Sequence, residues 1–396
     1  MSHTTAAWTA VDAWQDRLIA LSHSLHAEPE TAFQEHASAA KLATLLEQAG
    51  FAVEREACEL PTALIATYGA GDLTVGICAE YDALPEIGHA CGHNMICAAA
   101  AGAAIGLREV ADELGIRIKL IGTPAEEEGG GKVLMLDRGA FDDVTVAMMA
   151  HPAPGFDVAD TAMTTQTVSR FHATFHGRAS HAAAAPTVGI NAADAAVVAQ
   201  VAIGQLRQQT DGRFRIAGIV VDGGQRTNII PERASLEYEV RTLTAEQLPG
   251  LKERVQNCFH GAALATGTAV EFRPTQPDYL DLRQDPYLTA AYGDALSKLG
   301  RESQPMPAGV TGGSTDMGNI SQVMPSIHPG MGINGATAMP HTRDFTDATA
   351  SPAADEALIA GAKALAGAAI ALAGDAEQRA AVQKLQAGRG TLSSNK

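Results

Sequence analysis

Cysteine, histidine and glutamate gather in three short stretches of this chain, and these are side chains that hold divalent cations and move protons. Glu80-Tyr81-Asp82-Ala83-Leu84-Pro85 leads into His89-Ala90-Cys91-Gly92-His93-Asn94; Pro124-Ala125-Glu126-Glu127-Glu128 precedes three glycines; His151-Pro152 follows further on. A metal centre needs thiolate, imidazole or carboxylate donors whose charge offsets that of the cations, and the three stretches together supply all of these. Each is weak alone. Cys91 and His93 also describe a buried thiol beside a histidine at a helix start, and three glutamates before Gly129-Gly130-Gly131 also describe a solvated turn. Adjacent glutamates do have a chemical use in amide hydrolysis: one binds a cation while its neighbour carries a proton from water to the leaving nitrogen.

What makes the combination specific is its placement. Each stretch stands just past a short apolar run, at Leu73 to Ala79, Ile116 to Gly122 and Val144 to Ala150. Helical spacing between them, as over Asn94 to Leu114, predicts a mostly parallel α/β sheet, whose ligands collect beyond the strand carboxyl ends. Helices are also expected over Ala10 to Leu25 and Glu35 to Ala49, with Gly50 as a stop. A second block then alternates differently: strand over Val168 to Gly177, helix over Ile190 to Gln209, strands over Phe214 to Val221 and Ala234 to Leu243, helix over Ala245 to Ala265 and strand over Ala269 to Phe272. That βαββαβ order describes a ferredoxin-like domain. Past a Pro-rich connector, α/β character returns through Ile327 to Ile333 and an Ala-rich helix from Pro352. The expected organisation is a doubly wound α/β catalytic domain over 1–166 and 276–396, interrupted by an inserted domain over 167–275.

Composition narrows the partners. With 396 residues, 46% apolar, the chain can bury a large core, and a net charge of -17 without any Lys/Arg run argues against nucleic acid and anionic membranes. Small molecules are the expected ligands. Five scattered cysteines, and no charged-then-apolar leader over Met1 to Asp16, lead to the expectation of a reduced, cytoplasmic compartment. The longest apolar stretches, Met95 to Leu107 and Ala364 to Gly374, fall short of the ~20 residues of a membrane helix and are expected to be buried or amphipathic helices. No Gly-x-Ser-x-Gly nucleophile motif is present, and Gly129-Gly130-Gly131-Lys132 has the wrong spacing for a phosphate loop.

From about Leu21 to about Thr349 these motifs resemble, in order, the metallopeptidase and amidohydrolase family of aminoacylase, carboxypeptidase G and hippurate hydrolase. His26-Ala27-Glu28-Pro29-Glu30 resembles a segment the family also carries, and Glu80 to Asn94 is similar to its Cys-ligand subgroup, in the branch of p-aminobenzoyl-glutamate hydrolase and a β-alanyl-dipeptide hydrolase. The resemblance implies two divalent ions, zinc or manganese, bridged by Cys91, with His93 and His151 on one and Glu127 and His341 on the other. It further implies Glu126 as general base and Asp82 as the carboxylate that orients a ligand histidine. Asn94 stands where the hippurate-hydrolase branch has Asp, so substrate does not transfer from that branch. The insert resembles a lid and dimerisation module. There His181, in Gly177-Arg178-Ala179-Ser180-His181, is implied to reach the neighbouring subunit's site of a homodimer and stabilise an oxyanion. Asn228 and Arg241 are implied substrate contacts, and Gly313 and Ser314 belong to a glycine turn whose amides hold the substrate carboxylate. The remaining His172, His176, His260 and His328 read as structural. The expected function is hydrolysis of the amide of an N-acyl amino acid, an aminobenzoyl-glutamate-type conjugate or a small dipeptide with a free carboxylate. Two alternatives stand beside it: a metal-binding homologue without turnover, and a thiol hydrolase with Cys91 as nucleophile and His93 as base.

Overall fold

The computed structural model describes residues 1–306 and 312–392, in two compact units: Met1–Thr164 with Leu282–Lys396, and Thr165–Asp281. The second junction lies beyond residue 275 because Tyr279 exchanges two 2.9 Å backbone hydrogen bonds with Val168, which keeps the connector with the insert.

The first unit is built on six strands in the order Ala52–Arg55, Leu64–Tyr68, Ile116–Thr123, Leu73–Glu80, Val146–Met148, Ser326–Ile327. The last four run parallel to one another, while the first two form an antiparallel edge. Leu73–Glu80 is buried throughout because both faces of the sheet are covered. Val75, Ile77, Leu120 and Met148 face a core shared with the helices His3–Ala27, His93–Arg108 and Pro352–Gly374. Their neighbours Cys78, Ile121 and Ala147 point the other way, into a core with Met135, Phe141, Met317 and Ile320. The run over Val144 to Ala150 is thus not one strand. At His151 the chain leaves this sheet, and His151–Pro154 pairs in parallel with Gly330–Ile333. The register against 326–333 is the same before and after this point, and what ends is the pairing with Leu73–Glu80.

Helix Pro352–Gly374 is longer than the apolar run that announced it; at 23 residues it is long and apolar enough to cross a membrane, yet 78% of its most apolar window is buried in this unit. Small residues explain how. A Cβ on Gly102 would lie 2.8 Å from Cβ of Ala362, and one on Gly106 would lie 2.9 Å from Val11 Cγ2 and 3.0 Å from the Ala7 carbonyl oxygen, so three helices pack at close quarters.

The second unit is an antiparallel sheet in the order Ala269–Pro274, Thr167–His176, Arg233–Thr242, Arg215–Asp222. Helices Ala192–Leu206 and Leu248–Thr266 share its core of Phe171, Phe175, Leu236, Tyr238 and Phe259, completing the βαββαβ order. An additional two-stranded ribbon, Ser180–His181 with Ile229–Ile230, has too few residues to show a period in the sequence.

The close helix contact yields a test. Gly106→Val must push Ala7 and Val11 aside and is expected to destabilise the protein by roughly 1–3 kcal/mol, read as a lowered urea midpoint.

Candidate active site

The carboxyl ends of the parallel strands deliver the three reactive stretches to one place, and local backbone geometry completes the approach. Gly92 has φ +81°, and a Cβ there would lie 2.7 Å from Pro152 Cγ, so glycine lets the start of helix His93–Arg108 sit against the His151-Pro152 segment. Ala125 (φ +58°) and His341 (φ +66°) hold left-handed conformations that non-glycine residues avoid. Each is pinned: the Ala125 carbonyl accepts from Gly130 N at 3.0 Å, and His341 N donates to the Ala90 carbonyl at 2.8 Å.

Asp82 organises the interior. Its Oδ1 lies 2.9 Å from His93 Nδ1, and its Oδ2 accepts from the Glu127 backbone N–H at 2.9 Å. With Nδ1 engaged, His93 Nε2 faces three carboxylates, 3.3 Å from Glu80 Oε2 and 3.9 Å from an oxygen of each of Glu126 and Glu127. Cys91 Sγ lies 3.4 Å from His151 Nε2, and His341 Nε2 lies 3.5 Å from Glu127 Oε2. Two donor groups result, Cys91 with His93 and His151, and Cys91 with Glu127 and His341, each with ligand atoms within 4.8 Å of one another. They share the cysteine.

These groups suit cations. His93 Nε2 and Glu127 Oε1 are buried without a hydrogen-bond partner, which is costly unless something absent from the hydrogen-bond network claims them. Burial, reinforced by Glu127, holds the Cys91 thiol well above its ordinary value, and burial, with Glu80 and Glu127, does the same to the Glu126 carboxyl. Burial lowers His151 to about 4 and so keeps it neutral, the form that binds metal. A divalent cation reverses the direction for thiol and carboxylates.

The remaining predicted residues fall in both units. Gly313 and Ser314 precede helix Met317–Ser321 in the first unit. His181 and Asn228 are neighbours in the second: Ala182 N donates to the Asn228 carbonyl at 3.0 Å, beside the short ribbon. His181 Nδ1 accepts from Ala183 N and Ala184 N at 3.2 and 3.1 Å, so a neutral ring carries its proton on Nε2. Arg241, half-buried on the sheet face opposite the helices, pairs with Glu239, Nε to Oε1 2.8 Å. Asn94 has a structural duty: its Nδ2 donates to Ser22 Oγ (2.9 Å) and to the Thr349 carbonyl (3.0 Å), which an Asp could not do.

Four buried charged residues near the site escaped sequence reasoning as functional groups: Glu35, Glu80, Lys132 and Asp316. A charged residue closing the apolar strand at Glu80 was the one available signal. Glu35 Oε1 accepts from Ala125 N at 2.9 Å and so steadies the strained residue ahead of the glutamate pair. His328, read as structural, is buried beside His151, ring centroids 5.4 Å apart.

Comparison with known proteins points the same way. Residues 164–266 match the peptidase dimerisation domain. The chain is 39% identical to the mouse Xaa-Arg dipeptidase over 90% of its own length and 85% of that protein's. It is 32% identical to one of the subunits of the Escherichia coli p-aminobenzoyl-glutamate hydrolase, over 67% of this chain and 59% of that one. Among solved structures, a Bacillus subtilis dinuclear metal-binding peptidase of the M20 family superposes with a TM-score of 0.68 at 25% identity, covering 91% of this chain and 99% of that one.

Glu35 generates a pH prediction. Burial, followed by the nearby Asp82 charge, raises its carboxyl from 4.5 to about 7, so between those values the folded protein binds the extra proton and loses stability as pH rises. Glu35→Gln, which still offers an oxygen to Ala125 N, is expected to exceed the wild type in stability at pH 8 by on the order of 2–3 kcal/mol and to match it near pH 5. Urea titrations at the two pH values measure the difference; a gap that widens toward pH 5 refutes the assignment.

Proposed function

This chain belongs to the M20 peptidase family, whose members hydrolyse amide bonds, and from that premise we propose that it cleaves a small N-acyl amino acid, aminobenzoyl-glutamate-type conjugate or dipeptide bearing a free carboxylate. The observation that carries the proposal is the pair of donor groups sharing Cys91, with His93 Nε2 and Glu127 Oε1 buried and without a hydrogen-bond partner. Cys91, His93 and His151 would hold one divalent ion, and Cys91, Glu127 and His341 the other. Bound there, such ions make water nucleophilic at neutral pH and polarise the scissile carbonyl. A thiolate favours zinc, while imidazole and carboxylate accept manganese as readily, so either metal suits the set.

The chain's own residues account for the proton traffic. Asp82 fixes the His93 ring and, through the Glu127 N–H, the placement of the glutamate pair. Glu126, adjacent to a proposed ligand and grouped with His93 and Glu127 but not with Cys91, takes the proton of the attacking water and returns it to the leaving nitrogen. In a thiol hydrolase, by contrast, Cys91 would need a depressed pKa, whereas its surroundings raise it, and the glutamate pair would have no task.

A homodimer is part of the proposal. Supporting it are the match to the dimerisation domain and an apolar face within the insert: Ile219, Val220 and Val221 are exposed on the edge strand, Val197 and Val201 on helix Ala192–Leu206. His181, with Nε2 left as donor, would serve the partner's site as oxyanion stabiliser. Asn228, Arg241, Gly313 and Ser314 are the proposed substrate contacts.

Three results are expected. Elemental analysis of active protein should find two divalent ions per chain, and chelation should abolish turnover. Glu126→Gln should lower kcat by about 10²–10⁴-fold with both ions retained, whereas Glu127→Gln should lose one ion; the reverse pattern would mean the pair is assigned backwards. Mixed dimers of His181→Ala and Glu126→Gln chains should regain activity that neither variant has alone, because one composite site then has both groups intact. A mixture that stays inactive places His181 in its own chain's site.

A further inference from the structure

The Gly129-Gly130-Gly131-Lys132 run, which binds no phosphate by its spacing, has another use. Gly129 and Gly130 turn the chain back with φ +123° and +67°, and a Cβ on Gly131 would lie 1.9 Å from the Pro124 carbonyl oxygen. Only this tight return lets Lys132 enter the interior at the first turn of helix Gly131–Asp137. Lys132 is fully buried. Its Nζ donates to Glu80 Oε1 and, at 2.7 Å, to Asp316 Oδ1, while its backbone N donates to Asp316 Oδ2 at 2.9 Å. Glu80, Glu126 and Asp316 bring carboxylate oxygens within 4.8 Å of one another, an arrangement that demands a cation in a medium this dry.

We propose that Lys132 is a positioning residue: a built-in monovalent cation that bridges Glu80 and Asp316 and so holds the carboxylate cluster together, with Glu126 in place as the proton carrier. The ammonium occupies the position a third metal ion would otherwise take. Its three segments, the end of strand Leu73–Glu80, the glutamate loop and the residues opening helix Met317–Ser321, are thereby held together behind the donor groups. The proposal rests on the assignment of Glu126 above, and acts through it.

Lys132→Ala tests this by chemical rescue, because the deleted atoms correspond to propylammonium. The expected result is a fall in kcat of roughly hundredfold with both metal ions retained and KM changed less than about threefold. Propylammonium should then restore kcat saturably, by about tenfold or more, while propanol, of the same shape without the charge, should not. Equal rescue by propanol, loss of the metal ions, or turnover within about twofold of wild type overturns the proposal. Where the variant does not fold, or neither compound acts, Lys132→Met combined with Glu80→Gln and Asp316→Asn decides, since it leaves no buried charge unpaired. That protein should fold and turn over substantially faster than Lys132→Met alone; metal-replete but inactive protein overturns the proposal. Activity surviving in Glu126→Gln would instead show that the assignment of the base has failed, an outcome the amine rescue does not mimic.

Discussion

Asp82 sits between the two halves of the metal-donor cluster, and its two oxygens do different things. One fixes the His93 ring through Nδ1; the other receives the backbone N–H of Glu127. A single carboxylate therefore determines which nitrogen of His93 faces the cluster and where the loop carrying the glutamate pair begins. Around it the backbone is held in conformations that would not persist unsupported. Ala125 and His341 lie at positive φ, and each is held by hydrogen bonds from a neighbouring segment, Ala125 also by Glu35. Strain of this kind survives only where surrounding structure over-determines it, and here it brings donors from distant parts of the chain within reach of one another.

The electrostatic consequence is an interior with an excess of acid. Glu35, Glu80, Asp82, Glu126 and Asp316 are all buried in the first unit, and the fully buried ammonium set against them among the described residues is that of Lys132. Isolated buried carboxylates are expensive, and proteins either protonate them, pair them or bind cations beside them. All three solutions occur within this one region. Burial raises Glu35 to about 7; Glu80, which burial alone would raise, is brought down to about 2 by Lys132 and the neighbouring histidines; and the donor groups around Cys91 leave buried atoms unpartnered. A substrate carboxylate entering so acidic a region would be repelled without cations, which is a physical reason for the metal donors and the free-carboxylate substrate to belong to the same proposal.

Much of this was legible in the sequence because the reactive residues follow their strands directly. Apolar runs at Leu73, Ile116 and Val144 mark where the sheet ends, and the cysteine, histidines and glutamates come in the next few residues. The insert was legible from period alone, since alternation and helical spacing succeed one another in the order the sheet requires. What the sequence did not disclose depends on partners far along the chain. Lys132 finds Asp316 184 residues away, and Glu35 finds Ala125 90 residues away, so neither has a local signature. The departure of His151 from the central sheet is hidden for a related reason: Val144 to Ala150 is uniformly apolar, and only the pairing of His151–Pro154 with Gly330–Ile333 shows where the strand ends.

That departure matters for chemistry as much as for topology. Were His151 to continue the strand Val146–Met148, its side chain would be committed to a covered face of the sheet, as Cys78 and Met149 are. Past Met148 the segment keeps its pairing with 326–333 but loses that with Leu73–Glu80, and the absence of a Cβ on Gly92 lets Pro152 pack against the helix start. Cys91, in the turn before helix His93–Arg108, and His151, at the start of strand His151–Pro154, are thereby set 3.4 Å apart. Pro152, itself paired with Met331, and the glycine that admits it act as a matched pair, and the donor group of Cys91, His93 and His151 follows from their fit.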